Sequence, residues 1–97
     1  MIVHVVRFKG WTCEVEHRRY HNGRTAIVLN DINDGEQVAV ATVNIPDADV
    51  PDGHVLVKDW EENEGILAAL VDARVVEDTG TRIPTGFVEA ALCRITR

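Results

Sequence analysis

Apolar and polar positions alternate along this chain in short runs, and turn residues separate the runs. That is the signature of antiparallel strands. Residues 2–8 (IVHVVRF) are apolar and β-branched and predict a first strand. Lys9 and Gly10 supply a tight turn. Over 11–17, Trp11, Cys13 and Val15 point one way and Thr12, Glu14 and Glu16 the other, a period of two that predicts a strand with one wet face, continuing towards Tyr20. Asn22-Gly23 then tolerates the positive φ that a two-residue hairpin turn requires, and 24–30 (RTAIVLN) predicts the returning strand. Asp34-Gly35 repeats the turn chemistry. Residues 36–44 (EQVAVATVN) predict a further strand with apolar residues on both faces.

Beyond that point the punctuation changes. Residues 46–53 (PDADVPDG) hold two prolines, three aspartates and a glycine, and predict a loop. Residues 54–58 predict a short strand. Ile66, Leu67, Leu70 and Val71 form one apolar stripe and predict the single convincing helix, within 59–73. Its start is open between a capping box of Asp59 with Glu62 and a later cap at Asn63; Gly65 favours the later one, because an interior glycine costs a helix about 1 kcal/mol. Val75 and Val76 can begin another strand, Thr79 to Gly86 is turn-rich, and 87–95 predicts the last strand. The fold class expected is α+β: a mainly antiparallel sheet of six or seven strands with one main helix packed on one face, all in a single compact domain over 1–97.

Composition narrows the function. An apolar fraction of 45% in 97 residues is enough for one core and argues against disorder. The formal net charge is −6, unevenly placed: five bases face two acids in residues 1–24, and five bases face fourteen acids in the rest. Phosphate contacts need clustered Lys and Arg, so the overall balance argues against non-specific nucleic-acid binding and is compatible with docking onto a basic partner. The small basic patch of Arg18, Arg19 and Arg24, near Tyr20 and His21, is opposed by the acidic remainder. Cys13 and Cys93 lie in strand-like runs and read as buried free thiols. No leader and no membrane-length apolar stretch stands out, so a cytoplasmic location is expected.

Chemistry-bearing motifs are sparse. His17 and His21 are four apart, but on a strand that spacing is roughly 13 Å, too far to share a metal ion. The same distance separates Cys13 from His17. His4 and His54 are lone strand residues. The glycines match no phosphate-cradling motif, so no catalytic residue, metal or cofactor is expected. The most distinctive feature is an acidic run, with Asp47, Asp49, Asp52, Asp59, Glu61, Glu62 and Glu64 against Lys58 alone. Turn and helix-start preferences explain these acids in the plainest way. Asp47, Asp49, Asp52 and Gly53 faintly echo a calcium loop, but two prolines and the missing bidentate Glu count against it. The third reading is a protein-docking face that grips a basic groove. Trp60, inside the run, is either a plug at the core edge or an exposed interface anchor.

Several segments resemble an uncharacterised family of small proteins from bacterial phages, plasmids and integrated mobile elements. They are Asn22-Gly23-Arg24-Thr25-Ala26-Ile27, Ala41-Thr42-Val43-Asn44-Ile45-Pro46, Val57-Lys58-Asp59 with Glu62-Asn63-Glu64-Gly65, and Thr85-Gly86-Phe87-Val88-Glu89. Trp60 stands where the resemblance implies a smaller aromatic such as Tyr. The resemblance supplies no catalytic residue. It implies a setting in which small acidic proteins bind host defence components, as anti-CRISPR and anti-restriction proteins do.

Three functions follow as expectations. The first is a non-enzymatic interaction module that inhibits a host nucleic-acid defence complex through a continuous acidic surface of Asp47, Asp49, Asp52, Asp59, Trp60, Glu61, Glu62 and Glu64. The second is a structural domain that homodimerises through an edge strand. The third is a small enzyme or ligand-binding domain at the sheet–helix edge, where His54, Lys58 and Asp59 are expected together at one strand end.

Overall fold

A computed structural model describes residues 5–97. The expected strand positions 2–4, with His4, lie outside the described residues.

Four strands form an antiparallel meander in sequence order: β1 (Val5–Phe8), β2 (Trp11–Arg19), β3 (Thr25–Asp31) and β4 (Gln37–Val40). The register of β2 on β3 runs from Cys13↔Asp31 to Arg19↔Thr25, and Asn22-Gly23 turns the chain between them, with Gly23 at φ 87°. Cys13 and Val15 face the core as their alternation predicts. Trp11 shares their parity but sits at the strand's beginning and is 49% exposed.

β5 (His54–Val57), β6 (Val76–Thr85) and β7 (Val88–Ile95) form a second antiparallel sheet in the order β5-β7-β6. The strands expected in one sheet therefore divide four and three. Residues 41–43 join the two: Ala41 N–H donates to Ile27 O on one side, and Lys58 N–H to Ala41 O and Val43 N–H to Leu56 O on the other. The inner faces of both sheets bury Val6, Ile27, Leu29, Val55, Val57 and Cys93 in one core.

The helix covers the whole apolar stripe but is shorter than the expected span of 59–73. A 3₁₀ turn over Glu61–Asn63 comes first, and α1 spans Ile66–Asp72. Neither expected cap starts it in the ordinary way. Gly65, at φ 93°, breaks the chain before Ile66, and the Asp59 carboxylate reaches past the 3₁₀ turn to accept from the N–H groups of Gly65 and Leu67, both at 3.0 Å. Asn63 is 2% exposed and donates inward to Val40 O at 2.7 Å. Ile66 and Leu70 are fully buried. The helix lies not on the middle of one sheet but against β1 and β6, the edge strands of both. It closes the core where hydrogen bonding between strands stops.

The turn-rich segment 79–86 is also not a loop. β6 runs through it, and a bulge between Asp78 and Arg82 absorbs Thr79, Gly80 and Thr81. Pro84 is tolerated because β6 is an edge. β5 pairs with β7 only up to Val57↔Ala91, so Thr85 and Val88 close a ribbon that projects beyond the sheet and carries a fully exposed Phe87.

Candidate protein-interaction surface

β5 separates the acidic run into two groups. Asp47, Asp49 and Asp52 precede the strand, while Asp59, Glu61, Glu62 and Glu64 follow it. A four-residue strand is about 13 Å long, so the single continuous field expected from sequence becomes two fields at opposite strand ends.

The first group sits on a loop fastened by Arg24. Its guanidinium donates to Ile45 O at 2.7 Å, Ala48 O at 2.6 Å and Pro46 O at 3.4 Å. The one cation embedded in the loop thus binds backbone carbonyls and leaves the carboxylates of Asp47, Asp49 and Asp52 exposed. A second anchor is the hydrogen bond between Tyr20 and Thr42 hydroxyls at 2.9 Å.

The second group is partly consumed by the fold. Asp59 caps α1, as described above. Glu62 takes the ammonium of Lys58, which holds its carboxyl below the usual range, and its backbone oxygen accepts from Lys9 at 2.8 Å. Trp60 is half-buried, with the Lys58 ammonium 6.0 Å from its ring centroid. Glu61 and Glu64 are exposed and outside every ion pair among the described residues. Glu61 holds φ 55°, in the left-handed region that costs a side-chain-bearing residue about 1 kcal/mol or more.

Neighbouring turns enlarge this second group. Lys9 ties the β1–β2 turn to Glu62, and Ile32 N–H donates to Thr12 O at 3.0 Å, which seats the β3–β4 turn beside the start of β2. That brings Trp11 and Ile32, 49% and 37% exposed, to the same end as Asp34, Glu36, Glu61 and Glu64. The sequence pattern does not mark Trp11 and Ile32 as an exposed pair, because Trp11 shares the alternating face of Cys13 and Val15 and Ile32 stands alone between Asp31 and Asn33. Their exposure follows from their positions at strand ends.

The expected cluster of His54, Lys58 and Asp59 does not form. His54 opens β5, Lys58 follows its last residue, and Asp59 is occupied with α1. His54 instead lines a cleft with Asn22, Arg24 and Asp52, and its Nδ1 lies 3.0 Å from Asp52 O. Both cysteines are buried and free, and burial pushes the Cys93 thiol up to about 12. Among the described residues, no group of three or more His, Cys, Asp or Glu is placed to hold a metal ion, and no helix is long and apolar enough to cross a membrane. Comparison with protein-family models, curated proteins and solved structures finds no match to this chain.

Proposed function

We propose that this protein is a non-enzymatic interaction module that docks a basic partner through the end of the molecule formed by the β1–β2 turn, the β3–β4 turn and the segment Trp60–Glu64. One observation carries this: exposed Trp11 and Ile32 lie among exposed carboxylates that form no ion pair among the described residues, Asp34, Glu36, Glu61 and Glu64, although the charge of Glu61 is felt at Lys58. Interfaces combine an apolar or aromatic anchor with a charged rim that steers encounter. The bases at this end, Lys9 and Lys58, are already turned onto Glu62. Of the first group, Asp52 lines a cleft that also holds Arg19 and Arg24, so the field there is mixed.

The segments that resemble small phage and plasmid proteins direct the proposal towards one partner class, a host protein that handles nucleic acid and offers a basic groove. Cytoplasmic action follows from that partner. The test is capture from host lysate at low and moderate salt, with the native chain and with Glu61→Lys/Glu64→Lys. The native chain is expected to retain a nucleic-acid-binding protein at low salt and to lose it as screening shortens to about 10 Å or less. Equal capture by the variant, or no partner at either salt, contradicts the proposal.

A second reading, homodimerisation, is favoured by the β6–β7 ribbon, because among the described residues β6 is an edge strand and Phe87 at the ribbon's tip is fully exposed. Light scattering on the native chain and on Phe87→Ser decides it. A dimer that becomes a monomer on substitution supports it, and a native monomer at high concentration removes it.

A further inference from the structure

The two sheets end in four edge strands, and three of these are interrupted or covered. β4 meets β3 through a register shift between Leu29 and Asn30, and its Val40 O already accepts from Asn63. β5 is bridged on its open side by Thr42 opposite Val57 and by Val43 N–H on Leu56 O. β6 is bulged and holds Gly80 and Pro84. Bulges, prolines and covering segments are the ordinary means of blunting an edge. β1 has none of them. Its four residues pair with β2 in unbroken register, from Val5↔Glu14 to Phe8↔Trp11, without glycine or proline.

The open side of β1 can be assigned residue by residue. Tyr20 N–H, one position past β2, donates to Arg24 O, and Thr12 O accepts from Ile32 N–H. The even-numbered residues of β2 therefore turn their main-chain groups to β3. The odd-numbered Trp11 and Cys13 turn theirs to β1, where they meet Phe8 and Val6. The N–H and C=O groups of Val5 and Arg7 thus point away from β2, and no described residue bonds them.

A helix stands across from this open side. Val5 and Arg7 line a cleft of about 270 Å³ together with Ala69, Asp72 and Ala73 of α1. Ala69 and Ala73 lie one helical turn apart and carry nothing beyond Cβ, so the helix leaves room beside the strand. That wall is fixed, because Ile66 and Leu70 of the same helix are fully buried. Arg7 and Asp72 are exposed and form no ion pair with each other or with another described residue. A clean edge strand beside a helix is the arrangement that takes up an extended peptide by strand addition: main-chain bonds supply affinity, and the hollows between supply specificity.

We infer that this groove binds an extended segment of a partner polypeptide as a further strand on β1. A compact apolar side chain lies against Ala69 and Ala73, an acidic one meets Arg7 and a basic one meets Asp72. A second copy of this chain fits less well, because α1 lines the open side of β1 in each copy, and joining two β1 strands would press two helices onto one strip. The groove is separate from the surface around Trp11, Ile32, Glu61 and Glu64, so either can fail without the other.

The test is selection of a display library of random octapeptides on the native chain, followed by amide NMR with the enriched peptide. Enriched sequences are expected to hold an apolar residue between an acid and a base, and to shift residues 5–7 and 69–73. Alternate peptide N–H groups face β1 in an added strand, so N-methylation is expected to weaken binding about tenfold at every second residue and little in between. Ala69→Leu fills the hollow and is expected to weaken binding at least tenfold. Should that variant disturb α1, Arg7→Glu, on an exposed side chain, is expected to turn the peptide's preference at that position from acid to base. No enriched peptide, or equal tolerance of N-methylation at every position, overturns the inference. Shifts confined to residues 11, 32–36 and 60–64 also overturn it and leave the docking surface standing. A native dimer in light scattering, with the Val5 and Arg7 amides already protected from exchange, overturns it in favour of a second copy.

Discussion

The two acidic segments flanking β5 have similar compositions and opposite constructions. The loop 46–53 is fastened through its backbone: Arg24 holds the carbonyls of Ile45, Pro46 and Ala48, and the aspartates point outward. The segment 59–64 is fastened through its acids. Asp59 caps α1 and Glu62 takes Lys58, while Asn63 ties the segment to β4. Glu61 and Glu64 remain outward there without an ion pair, and Glu62 is exposed while bonded to Lys58. Net charge along a sequence therefore says little about which carboxylates a partner can reach. What decides it is where the fold's own unsatisfied backbone groups lie. A helix start needs acceptors and recruits acids, whereas a loop rich in inward carbonyls needs a donor and recruits an arginine.

The comparison is broken most strongly at Arg24. Arg24→Met removes up to three charge-assisted bonds from half-buried carbonyls and is expected to cost about 2–3 kcal/mol in denaturant unfolding, with the loss of order confined to 44–53 in hydrogen exchange. Asp59→Ala strips two acceptors from the start of α1 and is expected to cost about 1–2 kcal/mol, with the loss of protection in 64–72 instead. If both variants loosened the same segment, the two constructions would not be distinct. A smaller effect of the opposite sign is expected for Glu61→Gly, which relieves the left-handed φ and should raise stability by about 0.5 kcal/mol once glycine's extra entropy in the unfolded chain is set against it.

The smallest effect is a titration. The Lys58 ammonium holds the Glu62 carboxyl below its ordinary value, so the pair stabilises the fold above that value, and the contribution fades as the pH falls through the lowered one. Lys58→Met is expected to return Glu62 to the ordinary range in a carboxyl NMR titration. Glu16 serves as a reference, because Arg18 and then Asn30 hold it down to about 2 whatever happens at Lys58.

Much of the fold was legible in the residues. The period of two in β2 and the turns at Asn22-Gly23 and Asp34-Gly35 predict the four-stranded meander, and the Pro-Asp-rich stretch predicts the loop before β5. The partition into two sheets was not legible, because it depends on residues 41–43 pairing on both sides, a contact between segments with no local signature. The helix came out short because the φ 93° of Gly65 is incompatible with a continuous helix from Asp59. Strand β6 was hidden behind Thr, Gly and Pro, residues that usually mark turns but fit a bulged edge. Of the candidate site, the acids were legible as a run and not as two groups. Trp11 and Ile32 were missed because exposure at a strand end has no pattern of its own.

The central claim is that the partner-facing surface lies around Trp11, Ile32, Glu61 and Glu64. An arginine-rich peptide titrated at low salt, followed by amide NMR, tests it most directly. Shifts concentrated at residues 11, 32–36 and 60–64 are the expected result. Shifts centred on 47–52, or spread evenly over every exposed acid, would contradict it.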